Sequence, residues 1–199
     1  MIWIGLGGAG GQLVSAMGEA YPEMHTIALN QDKKSVQKLQ HVEHTLCFGE
    51  GIFHERSAQK QVAIHFDALR FLLGDSDDVG LLVSLGGRYG RLVVPILCAK
   101  LQALGKKVSM VALLPFDFEG PNRMDDALHV LSQLTDAVTV LVSSNQDYLV
   151  ASKSMGLDEM FQAMYEPLLT SVIQVCVHQG DILPEARIFL QVYQSESNG

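Results

Sequence analysis

Short apolar runs alternate along this chain with longer stretches in which apolar residues recur every three or four positions. The short runs predict buried strands and the longer stretches predict amphipathic helices. The predicted strands are Ile2–Leu6, His25–Asn30, Thr45–Phe48, Val79–Leu85, Lys107–Leu114, Ala137–Val142 and Arg187–Tyr193. The predicted helices are Gly10–Glu19, Val36–Gln40, Ser57–Leu73, Arg91–Leu104, Met124–Leu134 and a long final one, Leu157–His178. This alternation predicts a three-layer α/β domain of the Rossmann-like kind, built on a parallel sheet.

The composition is that of one well-packed domain. With 199 residues, 48% of them apolar, we expect a single domain over residues 1–199 with a frayed tail at 194–199. The net charge of −8 disfavours binding to nucleic acid, and no apolar run reaches the roughly 18 residues of a membrane span. The start has no basic region typical of a signal peptide. The three scattered cysteines indicate free thiols in a reducing cytoplasm.

A glycine-rich turn follows the first predicted strand, with five glycines among the seven residues from Gly5 to Gly11. Backbone N–H groups in such a turn attract phosphate, and the start of the next helix adds to that attraction. The same residues also satisfy the dinucleotide pattern G-x-G-x-x-G, with Asp32 about 20 residues further on. A tight strand-to-helix turn without ligand is a third interpretation. The candidate phosphate-binding residues are Gly7, Gly8, Ala9, Gly10 and Gly11.

Three further segments carry a more specific pattern. Residues 27–32 read I-A-L-N-Q-D, residues 115–124 read P-F-D-F-E-G-P-N-R-M, and residues 143–147 read S-S-N-Q-D. Together with the glycine turn, they resemble in order the segments of the FtsZ family within the FtsZ/tubulin superfamily, over roughly residues 1–178. The match to P-F-x-F-E-G-x-x-R-M is the strongest, whereas Gln31 stands where the family has threonine.

The resemblance implies a nucleotide-binding domain of the FtsZ/tubulin type that ends with the long central helix. It implies GTP or GDP as the ligand, with Glu119 and Arg123 on the ribose and phosphate side. Phe161 corresponds to the aromatic residue that stacks on guanine, and Glu166 would accept hydrogen bonds from the guanine edge where the family has aspartate. The remaining contacts that the resemblance implies are Asn30, Asp32 and Asn145.

The family's phosphate loop G-G-G-T-G-T-G is altered in this chain. Its counterpart reads Gly86, Gly87, Arg88, Tyr89, Gly90, Arg91 and Leu92. Two outcomes are open: Arg88 and Arg91 contact phosphate directly as charges, or Tyr89 fills the pocket. The segment at 49–56 carries two carboxylates, Glu50 and Glu55, which would oppose a triphosphate unless a metal such as Mg²⁺ intervenes.

The family's acidic motif N-x-D-x-x-D, which orients the attacking water, is not reproduced after Val177, and the family's second domain is absent from this sequence. We therefore expect a nucleotide-binding protein with little or no hydrolysis, acting as a regulator or partner of a full-length FtsZ-like protein or of itself. Three alternatives stay open. They are a nucleotide-free interaction scaffold, a GTPase completed by another chain, and a dinucleotide-dependent oxidoreductase.

Overall fold

The computed structural model describes residues 1–49, 51–52, 54–134, 138–144, 165, 167–170, 172 and 191–192. Within them, seven strands form one sheet. The strands are β1 (Ile2–Leu6), β2 (His25–Asn30), β3 (His44–Cys47), β4 (Asp78–Ser84), β5 (Lys107–Leu114), β6 (Val138–Ser144) and β7 (Gln191–Val192). Their order across the sheet is β3-β2-β1-β4-β5-β6-β7. The first six strands pair in parallel, and β7 pairs antiparallel with β6.

The strand order reverses direction next to β1. Strands β2 and β3 follow one another toward one edge, whereas β4, β5 and β6 run toward the other edge. Strands β1 and β4 lie side by side, with Ile4 opposite Leu81 and Leu6 opposite Val83. In sheets of this kind, ligands bind outside the carboxyl ends of the strands at such a reversal. The fold therefore places the candidate ligand crevice after Leu6 and Ser84.

Five α-helices and one 3₁₀ turn connect the strands within the described residues. The helices are α1 (Gly7–Ala20), α2 (Lys33–Gln37), α3 (Glu55–Leu73), α4 (Arg88–Ala103) and α5 (Pro121–Ser132), and the 3₁₀ turn covers Asp117–Glu119. Residues 165, 167–170 and 172 are also helical.

Two apolar clusters cover the two faces of the sheet. Helix α1 packs with Trp3, Ala28, Leu82 and Val111 on one face, where the helical residues Tyr165, Leu168, Leu169 and Val172 join it. Helices α3, α4 and α5 pack on the other face, against a larger cluster that includes Ile4, Leu29, Leu81 and Met110. Burial of these side chains is the main source of stability, and it produces the three-layer architecture that the sequence predicts.

The structure confirms the predicted α/β fold and the bounds of Ile2–Leu6, His25–Asn30 and Lys107–Leu114. Four helix starts were predicted three residues too late. Helix α1 begins at Gly7 rather than Gly10, and α4 begins at Arg88 rather than Arg91. Helix α2 begins at Lys33 rather than Val36, and α5 begins at Pro121 rather than Met124. The last described strand, β7, pairs antiparallel with β6, so the sheet is not parallel throughout. The long helix predicted at Leu157–His178 falls mostly outside the described residues.

None of the helices in the described ranges is both long and apolar enough to cross a membrane.

Candidate functional site

Two helix starts meet at the strand reversal. Helix α1 begins directly after β1. Helix α4 begins after three residues that follow β4, and the last of them, Gly87, is its N-cap residue. Because α1 and α4 pack on opposite faces of the sheet, their N-terminal ends flank the same crevice. Within the described residues, no side chain caps either helix start. Both starts therefore keep backbone N–H donors that an anion can accept from.

Glycines bring these helices unusually close to the strands. A Cβ at Gly10 in α1 would lie 2.2 Å from the carbonyl oxygen of Leu82, and one at Gly5 in β1 would lie 2.2 Å from the carbonyl oxygen of Gly10. In α4, a Cβ at Gly90 would lie 2.6 Å from the carbonyl oxygen of Ser84. These three glycines are needed for packing, because any side chain would collide with backbone.

Two glycines at the crevice face open space, as Gly74, Gly105 and Gly120 do elsewhere. Apart from its chain neighbours and its own helix backbone, a Cβ at Gly8 or at Gly87 would have no atom of the described residues within 4 Å. Both glycines are exposed, and each lies at the start of one of the two helices that flank the crevice. The crevice therefore has free room next to uncapped N–H groups, which is the arrangement that a phosphate group requires.

An ion pair lies against the turn that precedes α4. Glu119 Oε2 accepts a hydrogen bond from Arg123 Nη1 at 2.6 Å, and Glu119 Oε1 accepts one from the Phe116 backbone at 3.0 Å. Arg123 Nη1 is also 3.4 Å from the carbonyl oxygen of Gly86. The Arg123 side chain is 52% exposed. The guanidinium is thus fixed beside the crevice and still open to a ligand.

Three guanidinium groups surround the first turn of α4. Burial lowers the pKa of Arg91, and the positive charges of Arg123 and Arg88 lower it further. Arg91 forms an ion pair with Asp126, and its Nε is buried without a hydrogen-bond partner in the described part of the chain. Arg88 is exposed at the rim of a groove of about 300 Å³ between α4 and α5. The α4 side of the crevice thus carries three guanidinium groups, two of which are paired with the carboxylates of Asp126 and Glu119.

Tyr89 does not project into the crevice. Its side chain is 7% exposed and belongs to the core, where its ring lies 3.4 Å from the position of a Cβ at Gly7. The hydroxyl donates a hydrogen bond to the carbonyl oxygen of Phe48 at 2.7 Å. Burial raises the pKa of Tyr89, so the hydroxyl remains a neutral donor. The ring forms the floor of the crevice below Gly7.

The segment after β2 is held by its own hydrogen bonds. Asn30 Oδ1 accepts from the Asp32 backbone at 3.1 Å. Asp32 caps α2 by accepting from the Lys34 backbone at 2.9 Å and from the Ser35 hydroxyl at 2.7 Å. These hydrogen bonds, with the one from Ser35 first, lower the pKa of Asp32. The Asp32 carboxylate thus already has local donors, and a ribose hydroxyl would have to compete with them.

The structure brings most of the predicted site residues to one edge of the sheet. Glycines 7, 8, 10 and 11 and Ala9 lie in the first turns of α1, and Gly86 and Gly87 lie in the turn before α4. A Cβ at Gly11 would face Leu39 at 3.2 Å, so Gly11 packs on that side chain. Asn145, Phe161 and Glu166 lie outside the described residues, so their predicted contacts with the nucleotide stay predictions.

Two residues of the site were missed from the sequence. Asp126 pairs with Arg91, and Gln31 Oε1 accepts a hydrogen bond from the Ile52 backbone at 3.2 Å. The sequence shows that Gln31 stands where the FtsZ-like segment has threonine. It gives no sign that Gln31 bonds to Ile52, which is 21 residues away. Nothing in the spacing of Asp126 distinguishes it from an ordinary exposed helix carboxylate.

Over the described ranges, no group of three or more histidine, cysteine, aspartate or glutamate side chains is placed to hold a metal ion.

Comparison with curated proteins finds relatives of one kind. The chain is 31% identical over 162 residues to the cell division protein FtsZ of Buchnera aphidicola subsp. Baizongia pistaciae. The matched region covers 77% of this chain and 42% of the relative. It is 26% identical over 179 residues to FtsZ of Aquifex aeolicus, and this match covers 85% of this chain and 48% of the relative. The chain thus spans less than half the length of these relatives. No protein-family model matches it.

Solved structures with the same fold include an FtsZ dimer of M. jannaschii, with a TM-score of 0.75 and 23% identity over 86% of this chain and 52% of that one. A CetZ protein of Haloferax volcanii in a GTPγS-bound protofilament has a TM-score of 0.77 and 20% identity. That match covers 94% of this chain and 61% of the other. At these identities, the structural similarity establishes the fold.

Proposed function

Because this chain is an N-terminal-domain-like protein of the FtsZ/tubulin superfamily, we propose that it binds a guanine nucleotide, GDP or GTP, with little or no hydrolysis. The phosphates lie between the starts of α1 and α4. The protein then acts as a regulatory or partner subunit in a filament or division-related system of the cytoplasm. Its partner is a full-length FtsZ-like protein or a second copy of this chain.

One observation carries the proposal: the two uncapped helix starts with open space at Gly8 and Gly87. Two helix N-termini that face one crevice favour a group with more than one negative charge. The nearby guanidinium of Arg123 matches the geometry of phosphate oxygens. Packing alone accounts for Gly5, Gly10 and Gly90, but it gives no reason for glycine at Gly8 or Gly87. Unlike the open glycines 74, 105 and 120, these two do not have the positive φ that favours glycine.

The order of the strands supports one direction for the nucleotide along the crevice. Glu119 and Arg123 follow β5, so they mark the side of the crevice away from β1. A nucleotide with its ribose near Glu119 directs its phosphates toward the β1–β4 reversal. On the resemblance, Phe161 would stack on the base, Glu166 would accept hydrogen bonds from the guanine edge, and Asn145 would contact the nucleotide. Two CetZ proteins of Haloferax volcanii with this fold, a GDP-bound monomer and a GTPγS-bound protofilament, support guanine as the base.

We expect this chain to hydrolyse little or no GTP, because the acidic motif that orients water has no counterpart in the sequence after Val177. Hydrolysis requires a group that orients or deprotonates the attacking water, besides stabilisation of the phosphate charge. The helix starts and arginines supply only the second requirement. Where a nucleotide brings Mg²⁺, the ion would neutralise phosphate charge beside these arginines.

The test is a calorimetric titration of the purified chain with GDP and GTP, together with a phosphate-release assay. We expect saturable binding at one site and no phosphate release above the buffer rate. Absence of heat and of any thermal shift with both nucleotides would contradict the proposal and favour the nucleotide-free scaffold.

Two alternatives have their own signatures in the same experiments. A GTPase completed in trans would release phosphate only after a full-length homologue with the acidic loop is added. A nicotinamide cofactor that copurifies with the chain, detected by mass spectrometry, would favour the oxidoreductase.

A further inference from the structure

We propose that Gln31 and Tyr89 make this site selective for a nucleoside diphosphate over the corresponding triphosphate. The inference rests on the proposed function, since it concerns the phosphate end of the same nucleotide. Both residues hold backbone groups that follow β3: Gln31 accepts a hydrogen bond from the Ile52 N–H, and Tyr89 donates one to the Phe48 carbonyl. Neither role was expected from the sequence.

The direction of the phosphate chain decides which groups the terminal phosphate meets. With the ribose near Glu119 after β5, the phosphates pass the ends of β4 and β1, because these strands follow in the sheet order. A third phosphate extends further in the same direction, toward the ends of β2 and β3. The backbone that follows β2 and β3 lies in that direction, and there Asn30 and Phe48 are joined by a hydrogen bond of 2.8 Å.

At the end of β3, Phe48 has no backbone group to offer a phosphate. Its N–H donates to the carbonyl oxygen of Asn30 at 2.8 Å, and its carbonyl accepts from the Tyr89 hydroxyl at 2.7 Å. The Phe48 side chain is fully buried, so the residue cannot turn without losing core packing. A phosphate placed there would gain no donor from this residue.

Ile52 is fixed in the same way. Its N–H donates to Gln31 Oε1 at 3.2 Å, and its side chain is 1% exposed. A phosphate is bound in a backbone turn only where several N–H groups are free to point at it. Because the N–H groups of Phe48 and Ile52 are used internally, a third phosphate loses its water and receives no replacement donor from either residue.

Glu55 adds an electrostatic cost on the same side. It is the exposed first residue of α3, and it lines the same groove between α4 and α5 as Arg88 does. A triphosphate carries one more phosphate charge than a diphosphate and would bring it nearer to this carboxylate. Like charges disfavour one another, so this contribution also favours the shorter phosphate chain.

The experiment compares the dissociation constants of GDP and GTP for the full chain and for Tyr89→Phe and Gln31→Ala. For the wild-type protein, we expect GDP to bind at least about tenfold more tightly than GTP. Tyr89→Phe keeps the ring and frees the Phe48 carbonyl, and Gln31→Ala frees the Ile52 N–H. Each change removes a hydrogen bond that fixes Phe48 or Ile52, so this backbone can rearrange toward a third phosphate. GTP binding should therefore strengthen relative to GDP binding until the ratio falls below about threefold.

Tyr21→Phe is the matched control. Tyr21 lies at the far end of α1, and the same substitution there should leave both dissociation constants as in the wild type. If wild-type protein binds GDP and GTP equally, or if both variants keep the wild-type ratio, the selectivity assignment is overturned while the proposed function stands. If neither nucleotide binds, the proposed function itself fails. If Tyr89→Phe does not fold, Gln31→Ala alone decides the result.

Discussion

Gly10→Ala is expected to lower the free energy of unfolding by about 3 kcal/mol, which corresponds to a fall in melting temperature of about 6–12 °C for a chain of this size. The added methyl would lie 2.2 Å from the Leu82 carbonyl oxygen and 3.2 Å from the carbonyl carbon of Gly5. Both neighbours are backbone atoms of central strands, so neither can move aside without disturbing the sheet. Thermal or denaturant unfolding followed by circular dichroism measures the change.

Gly8→Ala is the matched control, two residues earlier in the same helix. Its methyl would enter open space, so stability should stay within about 1 kcal/mol of the wild type or rise slightly, because alanine favours helix. The same methyl occupies the room proposed for phosphate, so nucleotide binding should weaken in the folded protein. Equal losses of stability in the two variants would contradict the assignment of Gly10 to packing and Gly8 to the ligand.

Arg123→Ala is expected to weaken nucleotide binding about tenfold or more while leaving the fold intact. The substitution removes a guanidinium held beside Gly86 and leaves the Glu119 carboxylate without its partner next to the phosphates. Lost attraction and added repulsion act in the same direction. Since the Arg123 side chain is 52% exposed, little packing is lost with it.

Calorimetric titration with GDP measures the loss, and Arg70→Ala serves as its control. Arg70 is an exposed arginine in the last turn of α3, at the end of that helix opposite to its start beside the crevice. Its removal changes the net charge equally and should leave binding unchanged. Equal weakening in the two variants would mean that the effect is one of overall charge and that Arg123 has no specific role.

The fold was predictable from the sequence because its strands are apolar runs bounded by polar residues and glycines. His25–Asn30 and Lys107–Leu114 have the predicted bounds for this reason. The starts of α1 and α4 were placed three residues too late, because glycine has low helix propensity and reads as a turn. In this fold, close packing of Gly10 and Gly90 against the strands overrides that propensity.

The candidate site was predictable only in part. The glycine turn and the pair Glu119 and Arg123 stand out as motifs, and they lie at the edge where parallel strands end. The burial of Tyr89 was not predictable, because it depends on the Phe48 carbonyl 41 residues away in sequence. The bond from Ile52 to Gln31 is likewise a tertiary contact that no local pattern encodes.

The most direct test of a phosphate site between the starts of α1 and α4 is a GDP titration of ¹⁵N-glycine-labelled protein, followed by amide NMR. The amide signals of Gly8 and Gly87 should move together and saturate with GDP. Those of Gly74 and Gly105, which are equally open glycines after the ends of α3 and α4, should stay in place. Saturable binding that leaves Gly8 and Gly87 unmoved, or shifts at Gly74 and Gly105 instead, would contradict the account.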